Sequence, residues 1–207
     1  MKKWVCAVMA MLLLCGCTPN FGELVQIPAI DAPVEDGEQV AAALGLQKEK
    51  IRQINYVRLD GLQEPTPGDQ TDFGRITVEN VVRHDPACLN QRLCVRQYQN
   101  PSDASASHIL ENEKMNQYWH ARVDSGISLS AGEVQQALGF DVEGLVEGPG
   151  DVQVELQPGE NVEVIIIPIC ERYTFEVYKE TLLGEKKQVG EGCAYRIVGY
   201  YTFVCEY

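Results

Sequence analysis

Three kinds of hydrophobic spacing follow one another along this chain. Trp4 to Cys15 is apolar without interruption. Asp36-Gly37-Glu38-Gln39 and Ser130-Ala131-Gly132-Glu133 then each place an N-capping side chain three residues before a Gln or Glu, a helix-start signal. Val40, Ala43 and Leu44 share a face after the first; Val134, Ala137 and Leu138 do so after the second, ahead of Gly139 and Phe140. Two short helices are predicted. The first ends near Gly45 or runs on through Lys48 to Gln53. Both segments fit one pattern, which arises by independent use of the same local rules or by duplication.

Elsewhere the spacing is two. Ile76, Val78 and Val82 alternate with Thr77 and Glu79, and Cys94 to Tyr98 reads as the return strand, with Asp85 to Arg92 as the loop. Gln99 to Ala106 is a surface loop, and Met115 to Val123 is a half-buried strand. Val152, Val154 and Leu156 precede Pro158-Gly159, where Pro presets φ and Gly permits the positive φ of a type II turn. Val162 to Ile169 is apolar on both faces, as a central strand must be, and Tyr173, Phe175 and Val177 form another. Gly184-Glu185-Lys186-Lys187 reads as a turn, and Cys193 to Cys205 as one long strand with a bulge at Gly199. The predicted fold class is α+β and β-rich: a mostly antiparallel sheet or sandwich with two short helices.

The opening run changes the picture. Lys2 and Lys3 precede it, and its residues rise only about 18 Å as a helix, short of the ~30 Å hydrocarbon core of a bilayer. That is the build of a secretory signal peptide. Leu14-Cys15-Gly16-Cys17 resembles the lipobox of bacterial lipoproteins. The resemblance implies cleavage after Gly16, a diacylglyceryl group on Cys17, and attachment to a bacterial cell membrane or outer membrane facing outside the cytoplasm. The expected organisation is a lipoprotein signal peptide over 1–17 and a tether over 18–36. An N-terminal α+β region over 37–126 and a C-terminal β-rich region over 127–207 follow, separate or sharing one domain. A flexible tether of that length spans about 22–26 Å.

The C-terminal stretch, with Ile127-Ser128-Leu129-Ser130 through Gly139-Phe140, Tyr173-Thr174-Phe175-Glu176-Val177-Tyr178 and Gly190-Glu191-Gly192-Cys193-Ala194-Tyr195, resembles secreted bacterial β-domain proteins of unassigned function. The Pro158-Gly159 hairpin between Val-x-Val strands is also similar to aerolysin-type toxins, but the Ser/Thr-rich alternation of a membrane-inserting hairpin does not follow it. Neither resemblance supplies a catalytic residue.

Charge excludes one class of partner. The chain carries a net −13, and −15 once Lys2 and Lys3 leave with the leader, so phosphate backbones and anionic lipid headgroups repel it and no nucleic acid ligand is expected. Cysteine use adds a second expectation. Beyond Cys17, five remain: Cys88, Cys94, Cys170, Cys193 and Cys205. Outside the cytoplasm disulfides are permitted. Proximity favours Cys88 with Cys94, a closure worth about 2.4 kcal/mol in the chain-entropy description, with a second pair from the remaining three. Reduced, buried thiols are the competing reading.

Catalytic signals are sparse. His84-Asp85 with Cys88 and Cys94 has no recognised zinc-ligand spacing, and adjacent strand residues point to opposite faces. His108 and His120 stand alone. Glu111/Glu113 and Glu185/Glu191 are carboxylate pairs in a chain with 30 acids, which robs them of information. No catalytic, metal or cofactor motif is recognised. The aromatics Tyr195, Tyr200 and Tyr201 are either β-core residues or a stacking platform for a glycan or peptide. On a regular strand Tyr195 and Tyr201 share a face and Tyr200 points away. The expected function is a lipid-anchored surface module with a binding or envelope-structural role, taking a glycan or protein ligand. The alternative is an envelope-polymer hydrolase whose carboxylate pair forms no motif.

Overall fold

A computed structural model describes residues 27–66, 76–110, 114–124, 126–148 and 152–207, less the side chains of 94 and 114–116. The lipobox, Cys17 and the Glu111/Glu113 pair lie outside these residues. In chain order the protein forms α1 (Gly37–Ala43), β1 (Ile51–Arg58), β2 (Ile76–Arg83), β3 (Ala87–Cys88), β4 (Cys94–Gln99), β5 (Ala106–Leu110), β6 (Lys114–Asn116) and β7 (Tyr118–Val123). Next come α2 (Ala131–Leu138), β8 (Leu145–Glu147), β9 (Val152–Leu156) and two long strands, β10 (Asn161–Glu180) and β11 (Lys186–Glu206). The fold is α+β and β-rich, with antiparallel pairing.

β10 and β11, of 20 and 21 residues, form one hairpin about 66 Å long. The stretches Val162–Ile169 and Tyr173–Val177, read as two strands, are one: nothing in Cys170-Glu171-Arg172 breaks it. Pro168, which has no N–H to give, stands beside the irregularity between Ile169 and Cys170. Shorter strands tile the hairpin's two edges. β1 and β7 pair with successive parts of β11, and β4, β3 and β2 with successive parts of β10. The expected β2–β4 hairpin is therefore not formed; the two lie end to end along the same edge. β1 replaces the run-on of the first helix, whose Ile51, Ile54 and Val57 mimic helical spacing.

Each half of the sheet is covered differently. On one face β5 and β9 pair with each other and lay Leu110, Val152, Val154 and Leu156 over Val162, Val164, Ile166, Tyr195, Tyr200 and Val204. Pro158-Gly159 is the corner between these layers, with Gly159 at φ 77 and Glu160 N–H bonded to the Gln157 carbonyl at 3.1 Å. The opposite face holds two cores. α1 sets Val40 and Ala41 on Ile165, Ile167, Tyr201 and Phe203, whereas α2 sets Val134, Ala137 and Leu138 on Tyr173, Phe175 and Val177. Both helices start as their capping residues dictate. Asp36 accepts from Gln39 N–H at 3.0 Å, and Ser130 and Glu133 form a reciprocal capping box.

Residues 27–36 are docked rather than a free tether. Ile30 is buried and donates its N–H to the Cys88 carbonyl at 2.8 Å, and Ala29 bridges Leu89.

Candidate functional site

The two helix-covered cores leave a gap, and charge fills it. Glu171 and Tyr173 share a face of β10. In the ladder Glu171 stands opposite Arg196 of β11, and Tyr173 opposite Arg83 of β2. Register alone thus gathers four polar side chains. Glu171 Oε1 accepts from Arg83, and Oε2 accepts from the Tyr173 hydroxyl at 2.8 Å and lies 3.8 Å from Arg196. The Glu171 and Arg196 side chains are 6% and 8% exposed, so each charge needs the other. Arg196 also donates to the Gln63 carbonyl and stacks over Phe140 at 5.8 Å, while Arg83 reaches Glu64 at 3.0 Å. Burial, then the bond to Glu171, pushes the Tyr173 hydroxyl up to about 12.

This cluster lies in a cleft of about 770 Å³. Its walls include the segment from Leu59 to Leu62, Pro33 and Tyr56. Arg58, Asp60 and Asp85 also line it, and they form no ion pair among the described residues. The cleft therefore has an internally neutralised wall and a rim of both signs. Each oxygen of Glu171 thus has a partner within the wall of the cleft.

The residues singled out from sequence lie elsewhere. Tyr195, Tyr200 and Tyr201 are 1%, 0% and 2% exposed, so they are core and not a stacking platform. The register shift opposite Ile169 and Cys170 sets the faces. It puts Tyr200 with Tyr195 in one core and Tyr201 with Phe203 in the other. Tyr200 donates to the Glu147 carbonyl at 3.3 Å, and Tyr201 to that of Val34 at 2.6 Å.

The expected Cys88–Cys94 bridge is not formed, and Cys88 is a free thiol. Those positions face Ile169 and Ile166, about 10 Å apart along β10, beyond the Cα span of a disulfide. Cys170, Cys193 and Cys205 are likewise buried free thiols. They are opposite Ile197, Thr174 and Glu163, too widely spaced to pair.

Cys193 stands opposite His120 across β7 and β11, which suggests a thiol–imidazole pair. Burial pushes that thiol up, the opposite of what a nucleophile needs. His84 and Asp85 diverge: the imidazole lies 3.0 Å from the Thr174 hydroxyl and Asp85 lines the cleft. His108 rests on Tyr98 with ring centres 5.1 Å apart. Glu185 and Glu191 lie on the β10–β11 turn and in β11 itself. No group of His, Cys, Asp and Glu able to hold a metal occurs among the described residues.

Glu171, Arg196 and Arg83 escaped the sequence reading. Their signal was there: Glu171 closes the apolar run from Val164 to Cys170, and Arg196 is the one charged residue between Cys193 and Cys205. Their proximity depends on strand register, which the sequence does not display.

No family model matches the sequence, and no curated protein sequence matches it. Among solved structures the chain is similar to a candidate pore-forming toxin from Bacteroides vulgatus, at 10% identity and a TM-score of 0.26. The match covers 65% of this chain and 56% of that one, so the chain spans little more than half of that neighbour's length.

Proposed function

We propose that this protein is a lipid-anchored bacterial envelope module that binds a polar ligand without transforming it. The observation that carries the non-catalytic reading is the occupancy of Glu171. Its two oxygens accept from Arg83 and Tyr173 and lie beside Arg196, so its evident role is to neutralise two guanidiniums in the wall of the cleft. The anchor rests on Leu14-Cys15-Gly16-Cys17, since two acyl chains on one residue hold a protein on a bilayer stably. No helix among the described residues is long and apolar enough to cross a membrane.

Expression in a bacterial host with radiolabelled palmitate tests the anchor. The wild-type chain takes up label and sediments with membranes, whereas Cys17→Ala takes up none and stays soluble. A membrane-bound Cys17→Ala chain would contradict the anchor. The hydrolase reading has one observation in its favour: Glu64 and Glu171 meet one guanidinium, that of Arg83, in a cleft. It requires turnover of an envelope polymer that disappears in Glu171→Gln; a chain that releases no product refutes it.

A further inference from the structure

The tip of the long hairpin is an ordinary turn that carries two exposed leucines. Thr181 N–H donates to the Glu185 carbonyl at 2.7 Å and Gly184 N–H to the Thr181 carbonyl at 3.0 Å. Glu185 N–H donates to the Thr181 hydroxyl at 3.2 Å, and Gly184 takes φ +79. Three hydrogen bonds thus fix a tight turn, and its two central residues are Leu182 and Leu183. The conformational demand falls on Gly184, so the turn does not call for leucine at either central position. These leucines are 84% and 88% exposed, while no other large apolar side chain among the described residues passes 63%. They stabilise neither turn nor core.

We infer that the Leu182–Leu183 tip dips into the lipid bilayer to which the protein is anchored, a second membrane contact that rests on the anchor proposed above. Three features favour lipid over a protein partner. Two side chains at the end of a narrow hairpin fall far short of the ~800 Å² per partner of a standard protein interface. Insertion into hydrocarbon, by contrast, needs only that they be apolar and foremost. Next, Lys179 and Lys187 stand opposite each other just behind the leucines, with no ion pair among the described residues. In a chain of net −13, the nine residues Lys179 to Lys187 carry three lysines against two glutamates, and Glu79 pairs with Lys186, so this end is close to neutral and the repulsion from headgroups is weakened there. Long lysine stems let the ammonium groups stay at the headgroup level while the tip goes deeper.

The third feature is reach. Ile30 is fixed to Cys88, which lies opposite Ile169. The distance along the hairpin from Ile169 to Leu182 is about 43 Å, so the tether need not reach the tip itself if the hairpin is inclined. The ten steps from Cys17 to Ile27 extend at most about 33–36 Å. A hairpin leaning on the membrane therefore brings tip and anchor to one surface.

The test places tryptophan at the tip. Full-length Leu183→Trp is held on protein-free vesicles by its own lipid, or, if Cys17 carries none, by an N-terminal hexahistidine tag on nickel-chelating lipid. The fluorescence beyond that of the parent, whose Trp119 lies in β7, should shift to the blue and be quenched several-fold by lipids brominated on their acyl chains. In the natively anchored protein, Leu182→Asp/Leu183→Asp should speed transfer between vesicles about tenfold. Unshifted, unquenched emission on vesicles would overturn the inference while leaving the anchor standing. Protection that appears only on native membranes with their proteins would overturn it in favour of a protein partner. A chain without lipid that is nonetheless quenched when tag-held would retain the tip and remove the anchor.

Discussion

Removing the Glu171 carboxylate is the sharpest perturbation of the charged belt between the two helix-covered cores. Glu171→Ala leaves Arg196, 8% exposed, facing a cavity with the Gln63 carbonyl as its remaining acceptor. Breaking a buried pair from one side costs about 3–5 kcal/mol. Arg83 is 46% exposed and retains Glu64, so solvent relieves part of its loss and the expected value sits near 3 kcal/mol. With a urea m-value of ~2 kcal/mol/M this is a fall of about 1.5 M in midpoint at unchanged slope. Glu171→Met/Arg196→Met removes both charges and should recover most of the loss, because a matched apolar pair avoids the desolvation of either ion. A single-mutant loss below about 1 kcal/mol, or a double mutant whose loss is the plain sum of the two singles, would refute the reasoning.

Other outcomes follow from the same structure. Gly139→Ala should destabilise by more than about 1–2 kcal/mol, because Gly139 holds φ 77 and an added Cβ would fall against the Thr66 backbone; thermal unfolding checks it. Ser130→Ala removes one side of the capping box and should cost about 1 kcal/mol in the same assay. Burial raises the Cys88 thiol from 9.0 to about 11. Its contribution is therefore full below the unfolded value and lost as pH climbs through about 11, so the urea midpoint should fall between pH 8 and pH 11 by more than in Cys88→Ala. Cys88, Cys170, Cys193 and Cys205 should react with an aromatic disulfide reagent only on unfolding, and rapid labelling of the native protein would contradict their burial.

Local signals were the legible ones. Asp36 and Ser130 start helices in the structure as their capping chemistry requires, and Gly159 and Gly199 mark a corner and a close approach to Val57. Signals that depend on partners were not. The start of β1 admitted a helical run-on to Gln53 because an edge strand with an irregularity between Ile51 and Gln53 spaces its apolar residues by three, whereas α1 ends at Ala43, as the Gly45 signal allows. Val82 repeats the parity of Val78, yet Asn80 at φ 55 interrupts β2, and Val82 ends 51% exposed while Val78 is buried. The turn expected at Gly184–Lys187 lies over Thr181–Glu185 instead, since Leu182 and Leu183 carry no turn signal. The cleft needed both strand register and the spacing of two helix covers, and neither is written in any single stretch.

The proposed diacylglyceryl group on Cys17 is what would hold this fold at a bilayer. Intact mass spectrometry of the protein purified from a bacterial host decides whether it is there. A product that begins at Cys17 and carries the mass of a diacylglyceryl group is the expected result. A chain that retains Met1 and bears no acyl adduct would contradict it.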